Sequence, residues 1–224
     1  MRRLLLRVCL CLGCGAGPLT AGETYDLLFR TGALDDLVAA SRDSSGEVGL
    51  VYDRATQGTM EGPGPDSFRL NLDMVPPDSV ELTLHQGEKT RGIGTFPASV
   101  GNPVILYFME TTLRDMAEKT GGSPFYIRNR MKDSLMREAD IVPVKVRLGD
   151  AEVEARQITL HPFAQDDARD RMGRFAELEL VVTVSDAVPG WYYSLVSAAP
   201  SDPAAPESRY SNAITLAPGT EAIR

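Results

Sequence analysis

The spacing of apolar residues changes in one part of this chain, and that change limits the folds open to it. Before residue 97 and again after residue 140, apolar and polar residues alternate over several segments, which is typical of strands with one buried face. Between residues 103 and 138 the spacing becomes helical. The sequence therefore predicts an α+β fold in which a mostly antiparallel sheet of about nine strands is covered by a central helical hairpin.

Capping residues mark the ends of the two predicted helices. Asn102 can accept a hydrogen bond from the first turn of a helix, and Pro103 suits the first helical position. Ser123 followed by Pro124 repeats this start signal, directly after two glycines at 121–122 that end the first helix. The predicted helices span 103–119 and 124–138.

Strands are predicted on both sides of this hairpin. Before it, the alternating segments are 23–31, 47–53, 68–74, 80–84 and 90–96. After it, they are 142–148, 152–160, 178–184 and 191–196. The short apolar run 213–216 either pairs with the sheet or lies outside it. We therefore expect one β-rich domain over 22–197, followed by a loose Ala/Pro/Ser-rich tail over 198–224.

The first 21 residues have the layout of a secretory signal peptide. Residues 1–7 are basic, residues 8–17 are apolar, and Ala21 lies where cleavage is expected. The apolar part is too short for a membrane-spanning helix, which needs about 20 residues. All three cysteines fall in this segment, so the mature chain would contain no thiol. We expect a periplasmic protein with no transmembrane anchor after signal removal; the alternative is a lipoprotein acylated at Cys14.

The charge of the chain restricts its partners. It contains 23 Lys and Arg residues against 31 Asp and Glu residues, and removal of residues 1–21 changes the net charge from −8 to −11. Such a chain repels phosphate backbones, so we do not expect nucleic-acid binding. The sequence contains no glycine-rich phosphate-binding loop and no calcium-loop spacing, and we expect no cofactor.

One part of the chain is similar to a known group of proteins. The similar residues are Asn102-Pro103-Val104, Asp115-Met116, Thr120-Gly121-Gly122, Tyr126 and Arg128-Asn129-Arg130 through Leu135, with the later turn Ser185–Gly190. Over about residues 95–197 the chain resembles a family of uncharacterised exported proteins of alphaproteobacteria. The resemblance implies a β-sheet scaffold with a helical insert and no particular activity. A looser analogy of architecture is to periplasmic lipid and lipoprotein carriers, whose curved sheet is covered by helices.

His161 is the main candidate for catalytic or metal chemistry. It lies near Asp166, Asp167 and Asp170, and such a cluster could hold a divalent cation or serve a hydrolytic site. The same aspartates also suit the N-terminus of a short polar helix predicted over 165–174. We favour this capping role, and we assign no catalytic or metal-binding residue.

The second predicted helix has a basic surface. Between residues 124 and 137, four basic residues oppose Asp133 alone. One interpretation is a site for an anion or an anionic headgroup. The alternative is that these cations pair with acidic residues of the preceding helix, namely Glu110, Asp115 and Glu118. The predicted anion patch comprises Arg114, Tyr126, Arg128 and Arg130.

Apolar residues of the hairpin suggest a binding function. Residues 104–109 are apolar on every side of their helix and are predicted to be buried. Methionine and aromatic side chains adapt to varied apolar shapes, so a cavity between sheet and hairpin could take an apolar ligand such as a lipid. The predicted lining residues are Leu106, Phe108, Met109 and Ile127. The alternative is that these side chains simply fill the core.

The sequence thus predicts an exported, non-enzymatic envelope protein that binds an apolar ligand or a protein partner. Two other classes stay open. One is a hydrolase or metal-dependent enzyme that uses His161 and the nearby aspartates. The other is a structural or assembly factor of the cell envelope.

Overall fold

A single sheet with helices on one face forms the body of the protein. The computed structural model describes residues 21–43, 47–58, 68–75, 77–201 and 209–220. The strands in these ranges are β1 Gly49–Gln57, β2 Phe68–Val75, β3 Ser79–Gln86, β4 Lys89–Pro97, β5 Asp140–Leu148, β6 Ala151–Leu160, β7 Glu179–Val184, β8 Tyr192–Ala199 and β9 Tyr210–Leu216. The helices are α1 Ala21–Leu28, α2 Asp35–Asp43, α3 Val104–Thr120 and α4 Pro124–Leu135.

The described strands form one nine-stranded antiparallel sheet in the order β4-β3-β2-β1-β9-β8-β7-β6-β5. Strands β1 to β4 each pair with the next along the chain, and so do β5 to β8. The last strand, β9, lies between these two meanders and pairs with β1 on one side and β8 on the other. The predicted α+β class, antiparallel sheet and strand number are confirmed.

The core lies between one face of this sheet and the helices. Alternate residues of the central strands are buried, as Leu50 and Tyr52 on β1 and Ile214 on β9 illustrate. Helix α3 packs across β8 and β9 and contributes Phe108 to the same core. Each aliphatic or aromatic side chain buried in this way stabilises the fold by about 1.5–3 kcal/mol.

The predicted helical hairpin is confirmed, with small differences at its ends. The Asn102 side-chain oxygen accepts a hydrogen bond from the Val104 amide at 3.1 Å, which is the predicted cap. Gly121 ends α3 in the left-handed conformation. Helix α4 ends at Leu135, three residues earlier than predicted. The predicted burial of the whole run 104–109 is wrong for Leu106, which is 48% exposed on the side of α3 that faces away from the sheet.

The strand predicted over 23–31 is wrong, because this segment begins with α1. Residues Tyr25 and Phe29 alternate with Leu27, but the same residues also satisfy a helical spacing of four. Their rings stack with centroids 4.9 Å apart, and the Phe29 amide donates to the Tyr25 carbonyl at 2.8 Å. Thr24 and Leu28, also four residues apart, form the buried side of the helix.

The loose tail predicted over 198–224 is also wrong in part. Residues 198–199 belong to β8, and Tyr210–Leu216 form a central strand with neighbours on both sides. Burial at every second position of this strand shows why it belongs to the core. The intervening residues 202–208 and the final residues 221–224 lie outside the described residues, as does most of the predicted signal peptide. The polar helix predicted over 165–174 is replaced by two short 3-10 turns.

Helix α1 docks by its C-terminal carbonyl groups. The Trp191 ring nitrogen donates to the Leu27 carbonyl at 2.8 Å, and the Tyr192 hydroxyl donates to the Leu28 carbonyl. The last carbonyls of a helix have no partner within the helix, so these two contacts satisfy groups that would otherwise need water. Burial raises the pKa of Tyr192, and this hydroxyl therefore stays a hydrogen-bond donor.

The turn that precedes β8 contains a glycine whose replacement by any other residue should destabilise the fold. Gly190 has a φ of +71°, and its carbonyl accepts a hydrogen bond from the Asn102 side chain at 2.9 Å. A Cβ atom here would overlap the buried Leu50 side chain and lie 3.0 Å from the Asn102 amide nitrogen. The position is therefore restricted both by backbone conformation and by space.

We expect Gly190→Ala to destabilise the protein by about 3 kcal/mol, the sum of a left-handed alanine and an overpacked core. Gly121→Ala is the matched control, since Gly121 has a φ of +66° but no atom within 4 Å of the point that a Cβ atom would occupy. The control should lose only about 1 kcal/mol. Urea denaturation of both variants measures the difference. Equal losses would show that the contact with Leu50 has no effect.

Candidate functional site

The structure separates the four residues predicted to line an apolar cavity. Phe108 and Ile127 are fully buried in the core, where they pack against other side chains. Met109 is partly buried against the same core. Leu106 points away from the sheet and is half exposed. These residues therefore divide between the interior and the outer side of the hairpin, and their role in ligand binding stays a prediction.

One cavity formed by described residues lies where α4 ends beside β6. It has a volume of about 180 Å³, and its lining includes Ser134, Arg137 and His161. The His161 Nδ1 atom is 3.9 Å from a carboxylate oxygen of Glu179, and both side chains are about half exposed. The cavity is open and mixed in charge, because Arg137 lines it together with Glu138 and Asp140.

A second cavity of about 240 Å³ lies between α2, the start of β1 and the turn before β8. Leu37, Val48 and Val188 supply apolar side chains, and Asp186 lies at its rim. Asp186 forms an ion pair with Arg30, whose hydrogen bond lowers the pKa of that carboxyl group. None of the four predicted ligand-lining residues borders either of these two cavities.

The predicted anion patch divides into two pairs of residues. Glu110 of α3 accepts hydrogen bonds from Arg114 and from Arg128 of α4, each at 3.1 Å. These two arginines therefore pair with Glu110, as the alternative interpretation of the sequence predicts. Asp115, another acidic residue of that alternative, is buried on the opposite side of α3.

The other two members of the predicted patch face the loop after β6. The Arg130 guanidinium pairs with Asp133 at 2.8 Å and lies 5.6 Å from the centre of the Tyr126 ring. The Tyr126 hydroxyl donates to an Asp166 carboxylate oxygen at 2.7 Å, and this bond raises the pKa of Tyr126. Anion binding by the four residues stays a prediction, since each is engaged by a neighbouring side chain.

Asp166 stabilises a local turn, and not the N-terminus of a polar helix that the sequence favoured, because the predicted helix over 165–174 is absent. The carboxylate oxygen that accepts from Tyr126 also accepts from the Ala168 amide at 2.7 Å, so it fixes the turn at the start of this loop. The Asp166 side chain is buried, whereas that of His161 is about half exposed. Among the described residues, no group of three or more His, Asp, Glu or Cys side chains is arranged to hold a metal ion.

A buried polar layer beneath α3 was not predicted. Its first half is centred on Arg54 of β1, which is 3% exposed. The guanidinium donates to the Asn212 side-chain oxygen at 2.9 Å and to the Tyr107 hydroxyl at 3.1 Å. Asn212 in turn donates to the Thr111 hydroxyl at 3.0 Å. These bonds join α3 to the two central strands β1 and β9.

The second half of the buried polar layer joins α3 to β8 and β9. The hydroxyl groups of Thr112 and Ser197 are 2.9 Å apart, and Ser197 contacts the Tyr210 hydroxyl at 3.3 Å. Tyr210 donates to a carboxylate oxygen of Asp115 at 3.2 Å, and burial raises its pKa. The eight residues of the layer thus hold one side of α3 against the centre of the sheet.

The opposite side of the hairpin is apolar and basic. We define its outer face by two rows of residues at helical spacing, Leu106, Glu110 and Arg114 on α3, and Phe125, Arg128, Lys132 and Met136 on and directly after α4. The bond between Glu110 and Arg128 joins the two rows. Phe125 is 77% exposed and Met136 is 59% exposed. Phe125, Met136 and Leu106 therefore place solvent-exposed apolar side chains at both ends of the outer face.

The resemblance to exported alphaproteobacterial proteins and to lipid carriers rests on residues and architecture alone. No protein-family model matches this sequence, and no curated protein matches it. Among the helices of the described ranges, none is long and apolar enough to cross a membrane. A function for the chain must therefore be argued from its own surface.

Proposed function

We propose that this chain is an exported, non-enzymatic protein of the cell envelope that binds an apolar partner through its helical hairpin. The supporting observation is where the exposed apolar side chains lie. Of the eight large apolar side chains that are exposed in the described residues, four belong to the hairpin or its end. They are Leu106, Phe125, Tyr126 and Met136. Concentrated apolar exposure of this kind is typical of an interaction surface.

The outer face is a better binding surface than the space between hairpin and sheet. A ligand in that space would have to displace Phe108 and Ile127, which are fully buried. Displacement would also separate α3 from the sheet and leave the polar groups of the buried layer without partners, which costs about 1–3 kcal/mol for each group. A partner on the outer face requires neither change.

Export is inferred from the sequence alone, and the docking of α1 is compatible with it. Cleavage after Ala21 would remove the predicted signal peptide and leave both carbonyl groups through which α1 docks, those of Leu27 and Leu28. The mature chain in the periplasm would then be acidic and would contain no thiol. We treat the periplasmic location as part of the proposal.

The proposal is tested with a photo-reactive amino acid that replaces Phe125 in cells that make the protein. A matched control replaces Val142, an exposed apolar residue that lies outside the hairpin on β5, an edge strand of the sheet. We expect many crosslinked adducts from position 125 and few from position 142. We also expect the protein to be recovered from the envelope fraction with Gly22 as its first residue. Equal or absent adducts would contradict binding through the hairpin. A cytosolic chain that retains Met1 would contradict export.

A further inference from the structure

We propose that the partner of the outer face is a membrane surface that contains anionic lipids. This inference rests on the proposed function, because it names the partner of the same face. The outer face combines apolar side chains with cations, and the lipid interface is the environment that matches both. Apolar side chains enter the boundary between headgroups and acyl chains, while Lys and Arg reach the lipid phosphates.

The helical spacing places these two kinds of side chain on one surface. Along α4, Phe125, Arg128, Lys132 and Met136 follow one another at intervals of three or four residues. The apolar residues are at the two ends of this row and the cations are between them. A surface that binds a membrane in the plane of the interface needs this mixture along its length, rather than a single apolar point.

Charge separation within the chain favours the same orientation. The ionisable residues of the outer face are Arg114, Arg128, Lys132 and Glu110, so the face is positive by two charges. The mature chain as a whole is predicted to have a net charge of −11. An anionic membrane therefore attracts the hairpin and repels the remainder of the protein, which orients the molecule with the hairpin toward the lipid.

The ion pairs within the outer face do not prevent this binding. One carboxylate, that of Glu110, serves both Arg114 and Arg128, and all three side chains are substantially exposed. Exposed pairs of this kind contribute little to stability, so an arginine can exchange Glu110 for a lipid phosphate at little cost. Lys132 has no ion-pair partner within the described ranges.

Cosedimentation of the purified mature chain with lipid vesicles tests the proposal. We expect binding to vesicles that contain phosphatidylglycerol and phosphatidylcholine, and much weaker binding to phosphatidylcholine alone or in high salt. Inorganic phosphate should not compete, because it offers no apolar layer for Phe125. Equal binding to both kinds of vesicle, or release by inorganic phosphate at constant ionic strength, would overturn the proposal.

Charge variants provide the matched comparison. Arg128→Gln with Lys132→Gln should weaken vesicle binding about 30-fold, since each basic residue near an anionic surface strengthens binding about fivefold. The control double variant, Lys89→Gln with Arg147→Gln, changes the net charge equally at exposed sites outside the hairpin and should bind as the unaltered chain does. Equal weakening in both would overturn the assignment to the outer face. Phe125→Ser, which keeps every charge, should weaken binding about tenfold.

The two proposals fail in different ways. Crosslinks from position 125 to a protein, with no binding to anionic vesicles, would overturn the lipid inference and leave the proposed function in place. The absence of both crosslinks and vesicle binding would overturn both proposals. Crosslinks to lipid at position 125, together with the loss of vesicle binding in the hairpin variants, would support both.

Discussion

Replacing Arg54 by alanine is expected to destabilise the protein by about 4 kcal/mol, because the oxygen atoms of Asn212 and Tyr107 each lose a buried donor and a large buried side chain is removed. Arg54 is 3% exposed and donates to Asn212 and to Tyr107. Alanine would remove both donors and leave a cavity in the centre of the sheet. Urea denaturation measures the loss, and fluorescence of Trp191, the single tryptophan, provides the signal.

Arg69→Ala is the control for Arg54→Ala. Arg69 lies on the adjacent strand β2 and pairs with Asp53 at 3.6 Å, but both side chains are about half exposed. An exposed pair of this kind contributes only about 0.5 kcal/mol. The two variants change the same residue type on neighbouring strands and differ mainly in burial. If both lost similar amounts of stability, the buried polar layer would not be the cause of the effect.

The buried polar layer also matters for the proposed function. It connects α3 to β1, β8 and β9 through side-chain hydrogen bonds that have definite partners. Apolar contacts alone would allow a helix to shift along the sheet more readily than such directional bonds do. We therefore expect the hairpin to present its outer face in one fixed orientation. A rigid face loses less conformational entropy when it binds.

Most of the architecture could be predicted from local sequence. Eight of the nine strands follow from alternation of apolar and polar residues, and Asn102 and Gly121 mark the helix ends that the structure contains. Two segments cannot be assigned from local sequence alone, for physical reasons. The pattern of Tyr25, Leu27 and Phe29 fits a strand as well as a helix, and tertiary contacts with Trp191 decide between them. Strand β9 follows an Ala/Pro/Ser-rich stretch, so the sequence leaves open whether the apolar run 213–216 pairs with the sheet.

The buried polar layer could not be predicted, because its partners are far apart in the sequence. Arg54 and Asn212 are 158 residues apart, and Asp115 and Tyr210 are 95 residues apart. From the sequence, Asp115 is grouped with Glu110 and Glu118 as a partner for the basic residues of the second helix. Only the placement of β9 beside β1 and under α3 brings these groups together. The outer face is predictable in part, because the basic residues of α4 are evident in the sequence, whereas the exposure of Leu106 is not.

Phe108→Ala is expected to cost about 4 kcal/mol of stability, because truncation of a buried phenylalanine removes apolar burial and leaves a cavity. Leu106→Ala should cost no more than about 1 kcal/mol, since half of that side chain is already in water. The two residues lie in the same turn of α3 and were both predicted to line a ligand site. Their stabilities, measured by urea denaturation, therefore separate core packing from surface exposure.

The same pair of variants distinguishes the two locations for a partner. If Phe108 fills the core, Phe108→Ala lowers the stability but leaves crosslinking from position 125 unchanged in the folded variant. Leu106→Ala then weakens crosslinking and has little effect on stability. The opposite pattern is expected of an interior ligand site, where a loosely packed Phe108 would cost less than about 1 kcal/mol to truncate. A small loss of stability in Phe108→Ala, together with unchanged crosslinking in Leu106→Ala, would contradict binding on the outer face and favour a ligand between the hairpin and the sheet.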